Sequence, residues 1–349
     1  MMPRGRAASP PTEGKNTISY IKLFAVTEFV TMYDTCNMRL ASYDAPGIDF
    51  LKDIPGRIAG AAEHTYQDAG AFIITGTIPG AGGSGLKVSI SQAAVSVKDG
   101  SFSKWRLGDN VQTMSRGDME RAVEAISDYL GLPMWKASVT RVDVAGNFIM
   151  RYPPAAYFPH LGLLKYATRL QETDGLYYKT GAGRLVFYDK GKELKAGGED
   201  VPEICRGKNL LRYERRFTAR LPHYLNRPDI TAADLYNGDV YSSIISKWEQ
   251  SYKDIEKIND YTLNVQAMKS KKDFDRASRL ALIEKLGGEM AALQMVKEQQ
   301  LQGNLTKKQA YDIRGTIKEA CHSGMSITTP NEVINELSDK IMAAALMNK

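Results

Sequence analysis

Ala137-Ser-Val-Thr-Arg-Val-Asp-Val-Ala145 alternates between apolar and polar residues, a pattern typical of a β-strand with one face in a core. Two later segments are also strand-like: Arg184-Leu-Val-Phe-Tyr-Asp189 and Leu210-Leu-Arg-Tyr-Glu-Arg-Arg-Phe217. Every second residue of a strand faces the same side of its sheet. Each segment therefore has an apolar face and a face that combines arginine with an acid or a tyrosine.

Shorter strand-like runs precede these segments, within about residues 18–100. Phe72-Ile-Ile-Thr75 and Leu86-Lys-Val-Ser-Ile90 flank Pro79-Gly-Ala-Gly-Gly-Ser-Gly85, which predicts a hairpin loop. This glycine run lacks the GK[ST] ending of a phosphate-binding loop, and no helical pattern follows it. Residues 20–30 are also expected to form a strand.

The helical signals lie between and after the strands. A helix is expected at 116–130, with Ser115 as its N-cap, and a second at 154–170, because Pro153 suits a helical N-terminus. Helix-forming residues dominate after about residue 228. The predicted fold class is α+β: a twisted antiparallel sheet with flanking helices, followed by a helical C-terminal region.

This pattern predicts three parts of the chain. Residues 1–17, rich in Pro, Gly, Ser, Ala and Arg, are expected to be a disordered extension, and residues 18–227 the domain that contains the sheet. Residues 228–349 form the helical region. Its basic stretch suggests contact with DNA or a partner, although a solvated charged face would explain it as well; the stretch comprises Lys269, Lys271, Lys272, Arg276 and Arg279.

Composition limits the class of protein. The 349 residues are 43% hydrophobic, enough for a large core, and the formal net charge of +6 suits a polyanionic partner without identifying one. Cys36, Cys205 and Cys321 are spaced unlike a zinc site or a disulfide framework. No apolar stretch is long enough to cross a bilayer and no secretory signal is evident, so a cytoplasmic location is expected.

The polar faces of the three strands could form one site. If the strands are neighbours, Asp143, Tyr188 and Glu214 converge on one face of the sheet. Facing carboxylates repel unless a cation lies between them, and hard oxygen ligands select Mg²⁺ or Mn²⁺. The surrounding arginines are expected to bind DNA; they are Arg141, Arg184, Arg212 and Arg216.

Such a site suits phosphodiester chemistry. A bound metal polarises the phosphate, and tyrosine, with a pKa of about 10, becomes a nucleophile when cations lower that pKa or a base removes the proton. Lys190 and Arg184 are the expected cations. A surface ion pair and an ordinary strand tyrosine would explain the same spacing without chemistry. No HxH pair, HExxH, G-x-S-x-G or Walker lysine supports another enzyme class.

Three motifs, in order, resemble the gene II replication initiators of filamentous bacteriophages and, more loosely, the Rep_trans plasmid initiators. The family patterns are R-[IV]-D, Y-x-K-x-x-E and R-[FY]-E. They match Arg141-Val-Asp-Val144, Tyr188-Asp-Lys-Gly-Lys-Glu-Leu194 and Leu211-Arg-Tyr-Glu-Arg215. Met32-Tyr-Asp34 and Gly108-Asp-Asn-Val111 add support, and the likeness extends over about residues 32–225.

The resemblance implies a Rep nickase-like fold and assigns roles to the matching residues. Tyr188 would be the nucleophile and Lys190 the family lysine, with Asp143, Glu193 and Glu214 as the carboxylates that act as metal ligands. It implies a Mg²⁺-dependent nick of one strand at a replication origin, a 5′-phosphotyrosine link and later closure of the displaced strand into a circle. The implied partners are origin DNA and the host helicase, polymerase and single-strand-binding protein.

Several alternatives stay open at this point. A non-catalytic DNA-binding regulator would need the basic surface but not the acids, and a plasmid initiator would share the chemistry of a phage initiator. The sequence does not decide whether Tyr177 or Tyr178 acts in termination, nor does it identify the origin or the oligomeric state.

Overall fold

A computed structural model describes residues 32–66, 71–218, 221–258, 269–322 and 332–349. The extension expected at 1–17 and the strand expected at 20–30 lie outside the described residues. None of the described helices combines the length and apolar composition that a membrane span requires.

The described residues contain a ten-stranded sheet in which every neighbouring pair is antiparallel. Its order is β2-β3-β4-β5-β1-β6-β10-β9-β8-β7. The strands are β1 Tyr33–Ala41, β2 Ala59–Tyr66, β3 Ala71–Pro79, β4 Gly85–Ile90, β5 Ala94–Lys98, β6 Ser138–Met150, β7 Thr168–Gln171, β8 Gly175–Thr180, β9 Gly183–Asp189 and β10 Asn209–Phe217.

Helices flank this sheet and follow it. They are α1 Phe50–Asp53, α2 Phe102–Leu107, α3 Arg116–Leu130, α4 Lys190–Ala196, α5 Leu221–Tyr224, α6 Gly238–Lys253, α7 Lys271–Lys285, α8 Glu289–Leu301, α9 Lys307–Cys321 and α10 Glu332–Met347. The predicted α+β class is therefore confirmed. The glycine-rich run is the β3–β4 hairpin loop, as predicted.

The register of the central strands confirms the predicted faces. β10 lies between β6 and β9, so Arg212 is opposite Tyr188 on one side and Asn147 on the other. Arg216 is likewise opposite Asp143 and Arg184. Because alternate residues share a face, Asp143, Tyr188 and Glu214 all lie on the same face of the sheet.

The opposite face of these strands is a core of aromatic and branched side chains. Phe187 and Tyr213 stack with ring centroids 4.5 Å apart, and Trp248 of α6 packs on Tyr213 at 4.9 Å. The Tyr213 hydroxyl donates to the carbonyl of Trp248 over 2.9 Å. This packing holds β9 and β10 in place beneath the polar face.

The predicted helix at 116–130 is confirmed with its cap. Ser115 Oγ accepts from the Asp118 amide, and the Asp118 carboxylate accepts from the Ser115 amide, which is a reciprocal capping box. The C-terminal end is Gly131, which has a φ of 61°.

The prediction of a helix at 154–170 is wrong. The structure has two single 3₁₀ turns, at Pro154–Ala156 and Phe158–His160, and then strand β7. Pro159 explains the difference: it has no amide hydrogen to donate, and its ring would clash with a helical carbonyl one turn earlier. An N-terminal proline signal is therefore outweighed by a proline in the helix interior.

Most of the buried helical residues after 228 belong to one of two cores. Helices α6 and α10 bury Ile244, Trp248, Leu337 and Ile341 in the main core with the sheet. Helices α7, α8 and α9 share a small core of their own, which contains Ile283, Ala292, Val296, Ala310, Ile317 and Ala320. The hydrophobic core of the sheet thus extends well beyond residue 227.

Candidate functional site

Three buried carboxylates meet on the polar face of the sheet. Asp34, Asp143 and Glu214 are 6%, 1% and 3% exposed, and their ligand oxygens lie within 4.8 Å of one another. They come from β1, β6 and β10, which are consecutive in the sheet. We call these three residues the carboxylate triad.

Asp34 is the triad member for which the sequence analysis proposed no role. Tyr33 pairs with Val144 and Thr35 with Asp143, so two steps along β1 match one step along β6. Asp34 is therefore the extra residue of a β-bulge, which re-aims a side chain locally. Its only sequence signals were the family-like Met32-Tyr-Asp34 and an acid in an otherwise strand-like run.

Arg212 ties the triad to the rest of the fold. Its side chain is 0% exposed; Nη2 lies 3.0 Å from Asp34 and Nε lies 3.4 Å from Glu214. Nη1 donates to the carbonyl of Asn110 over 2.9 Å. Arg212 was expected to bind DNA; in the structure its guanidinium is enclosed and its partners lie within the protein.

The other two carboxylates have arginine partners on their own strands. Arg141 donates to Asp143 through Nε over 2.8 Å and also through Nη2, and Arg216 Nε donates to Glu214 over 2.6 Å. Both arginines are partly exposed, at 26% and 32% of the side chain. They can therefore reach a ligand, unlike Arg212. Arg184 is exposed on the same face, opposite Arg216.

The pKa values of Asp143 and Asp34 shift in opposite directions, although an arginine contacts each carboxylate. Burial raises the pKa of Asp143 to about 7; Arg141 opposes that shift, and the charge of Glu214 adds to it. Burial would also raise the pKa of Asp34, but Arg212 and the hydroxyl of Ser101 outweigh it and hold that pKa below its usual value.

The chemistry of these donors fits a hard divalent cation. All three are carboxylates at a mutual spacing that one ion can bridge, and such an ion would relieve their repulsion. Asp34, Asp143 and Glu214 are the residues that could hold it.

Tyr188 lies beside the triad at the end of β9. It is half-buried and lines an open pocket of about 540 Å³ together with Tyr177, Arg216 and Glu193. Burial raises the pKa of its phenol well above the usual value. The positive charge of Arg212 opposes this rise in pKa. The sequence predicted Lys190 and Arg184 for this role and did not include Arg212.

Lys190 and Glu193 form a pair next to Tyr188. Lys190 Nζ is fully buried, donates to Asn110 Oδ1 over 2.7 Å and lies 2.5 Å from Glu193 Oε2. The Glu193 side chain is 42% exposed and stands outside the carboxylate triad. The geometry thus places Glu193 in the tyrosine pocket instead of among the carboxylates that meet.

The two neighbouring tyrosines lie on opposite faces of β8. Tyr178 is buried, and its hydroxyl donates to the carbonyls of Leu161 and Gly162 over 3.0 and 2.7 Å. Tyr177 instead lies in the Tyr188 pocket, where its hydroxyl covers Gly175, the residue directly opposite Tyr188. A Cβ at position 175 would come within 2.9 Å of that hydroxyl.

The sequence matches one known protein family over the part of the chain that forms this site. A family model described as the N-terminal part of a phage replication-associated protein matches residues 32–251, and it corresponds to the gene II initiators of filamentous phages. The matched segment contains every described strand of the sheet and ends inside α6. No curated protein matches the chain significantly.

Proposed function

The chain belongs to the family of phage replication-associated proteins that includes the gene II initiators, and from that premise we propose that it nicks and rejoins one DNA strand at a replication origin. The proposed enzyme is a rolling-circle initiator that attaches itself to DNA through Tyr188. It would act on origin DNA in the bacterial cytoplasm, alongside the helicase, polymerase and single-strand-binding protein of the host.

One observation carries this proposal: a buried carboxylate triad and an accessible tyrosine share one face of the sheet. A non-catalytic DNA-binding protein has no use for three carboxylates buried together, because burying each charge costs free energy that binding would not recover. The family membership and the position of Tyr188 opposite Arg212 support the same interpretation.

We propose that Asp34, Asp143 and Glu214 hold Mg²⁺ or Mn²⁺. Such an ion, when bound, polarises the scissile phosphodiester and stabilises the charge that develops on it. Arg216 and Arg141 lie at the rim of the triad and would contact the phosphate oxygens, since arginine forms paired hydrogen bonds with phosphate. Arg212 is a positioning residue: it holds Asp34 and Glu214 in place.

The proposed reaction is a transfer of the phosphate from DNA to the protein. The Tyr188 oxygen attacks the phosphorus, the bond from phosphorus to the 3′ oxygen breaks, and the departing 3′ oxygen takes up a proton from solvent to become a free 3′-hydroxyl. The phenolic proton passes to a carboxylate; we assign this role to Glu193, which lines the same pocket and is not needed in the triad. Lys190 would hold Glu193 in position.

The same residues support the reverse step. A 3′-hydroxyl attacks the phosphotyrosine, a new phosphodiester forms, and the proton returns to the Tyr188 oxygen. Because one ester replaces another, closure of the displaced strand needs no nucleotide cofactor.

The direct test uses supercoiled DNA that carries the origin of the replicon encoding this chain. With Mg²⁺, the protein should convert it to the nicked form and yield a covalent adduct that survives denaturant. Tyr188→Phe should fold and bind the origin but form neither product, because only the attacking oxygen is lost. Tyr177→Phe is the matched control, since it removes a hydroxyl from the same pocket, and it should leave the first nick intact.

The outcome that contradicts the assignment is a normal amount of adduct from Tyr188→Phe. Origin binding without any nicking by the unaltered protein, in either Mg²⁺ or Mn²⁺, would favour the regulator.

A further inference from the structure

A second cavity lies on the opposite face of the sheet from the carboxylate triad. It has a volume of about 670 Å³, within the usual range for small-molecule sites. Its floor is formed by Leu185 of β9 and Arg215 of β10, and its walls by α5, α6 and the segment before β7. Nothing in the proposed nicking reaction uses this cavity.

Arg215 is buried there without a carboxylate partner. It is 3% exposed, and among the described residues its Nε and Nη1 have no hydrogen-bond acceptor. No ion pair joins it to an acid in the described part of the chain. Its neighbours are the hydroxyl of Tyr224 and the ring of Phe217, 5.0 Å from the guanidinium. A buried guanidinium with free donors is costly, and an anion is the ligand that would satisfy it.

The rim of the cavity adds positive charge. Lys165, in the segment before β7, and Lys247 of α6 are exposed lining residues, and His223 of α5 also lines the cavity. Asp254 is the carboxylate that lines the cavity, so three formal positive charges face one negative charge. This balance favours an anion over a cation or a neutral molecule.

Aromatic side chains and backbone conformation distinguish the cavity from an ordinary basic patch. Tyr166 and Tyr224 both line it and can stack on a planar ring. Tyr166 has a φ of 60°, a conformation that is uncommon for tyrosine and that concentrates at binding sites. Tyr166 is nevertheless 87% exposed, so no core packing requires that conformation.

We propose that this cavity binds the phosphate group of a nucleotide, with Arg215 as the buried contact and Lys165 and Lys247 at the rim. The tyrosines would pack against the base or sugar. The nucleotide can be free or part of a DNA strand that passes over this face, and both sources present the same phosphate chemistry. The site is separate from the triad, so it does not depend on the proposed nicking reaction.

The test is binding to the full chain in the absence of divalent cations, measured by calorimetry with three probes. Inorganic phosphate and a deoxynucleoside monophosphate report on a free ligand, and a short single-stranded oligonucleotide reports on a DNA strand. Arg215→Met should weaken binding of the effective probe at least tenfold, and Lys165→Gln with Lys247→Gln should weaken it severalfold. Lys253→Gln is the matched control, because it removes a lysine from α6 outside the cavity.

A thermal measurement separates a ligand contact from a structural role. Phosphate or the nucleotide should raise the Tm of the unaltered protein and leave that of Arg215→Met unchanged. If Arg215→Met does not fold, the double variant Lys165→Gln with Lys247→Gln decides the question.

Binding of the mononucleotide would show that the cavity takes a free nucleotide. Binding of the oligonucleotide but not of the mononucleotide would show that it takes part of a DNA strand. Failure of all three probes to bind overturns the proposal, as does binding that the cavity variants leave unchanged. Failure to nick DNA would leave it standing.

Discussion

Replacement of Arg212 by methionine should lower the free energy of unfolding severely, because this arginine is buried together with the carboxylates that it contacts. The side chain is 0% exposed and contacts two members of the triad, Asp34 at 3.0 Å and Glu214 at 3.4 Å. Methionine fills much of the space but leaves both carboxylates without this cation. Removing one partner of a buried ion pair costs about 3–5 kcal/mol, because the charge that remains is buried and unpaired.

That cost is large against the whole stability of a domain, which is typically about 5–15 kcal/mol. Glu214 keeps its hydrogen bond from Arg216, so Asp34 is the carboxylate that loses its arginine partner, and the lost bond to the carbonyl of Asn110 adds to the cost. Arg184→Met is the matched control: it lies on the same face but is exposed, and surface substitutions usually change stability by only about 0.5 kcal/mol.

The loss should depend on pH in a defined direction. Arg212 helps to hold the pKa of Asp34 below its usual value, so this pair stabilises the fold above the unfolded pKa of about 3.9 and less as the pH falls through the folded pKa. Without Arg212, burial would instead raise the pKa of Asp34. The difference between variant and unaltered protein should therefore be largest near pH 7–8 and shrink toward pH 4.

Urea denaturation in EDTA, followed by circular dichroism at several pH values, measures this difference without interference from divalent cations. A destabilisation below about 1 kcal/mol at pH 7.5, less than the cost expected for breaking a buried pair, would refute the reasoning. A loss that stays constant from pH 4 to pH 8 would also refute it, because the cost would then not arise from the carboxylates.

Two further predictions concern the metal and the helical region. Asp34→Asn should reduce Mg²⁺-dependent nicking by orders of magnitude, as should Asp143→Asn and Glu214→Gln, because each substitution removes a carboxylate of the triad. Undiminished nicking in EDTA would contradict the proposal that the triad holds a metal ion. Lys271→Gln with Lys272→Gln, at the start of α7, should flatten the dependence of log binding constant on log salt by about one unit for each phosphate that the variant no longer binds. An unchanged slope would indicate a solvated face.

The rule that alternate strand residues share a face predicted that Asp143, Tyr188 and Glu214 lie on one face of the sheet, provided that their strands are neighbours. It works there because β6, β10 and β9 pair without a shift in register over these residues. The same rule could not assign Asp34, because the bulge in β1 breaks the alternation and pairing is not visible in one strand alone.

Burial explains the other differences between expectation and structure. Four arginines on one face looked equivalent in the sequence, but Arg212 is enclosed while Arg184 is open to solvent. Likewise, Glu193 lies on α4 and not on a strand; α4 begins directly after β9, and Glu193 pairs with Lys190 on the same helix and stands outside the triad. Arg212 is enclosed because the loop around Asn110 packs against it. The position of that loop depends on long-range contacts, which one strand of sequence does not show.

β10 explains how one short segment can serve two sites. Glu214 and Arg215 are adjacent in the chain, and their side chains leave opposite faces of the sheet, one toward the triad and the other toward the second cavity. Pairing with β6 and β9 on both sides fixes this arrangement. A shift of one residue would bring Arg215 to the carboxylate face and bury Glu214 among Phe187 and Trp248. The register of β10 is therefore constrained from both faces, by the charge of the triad as well as by the aromatic core.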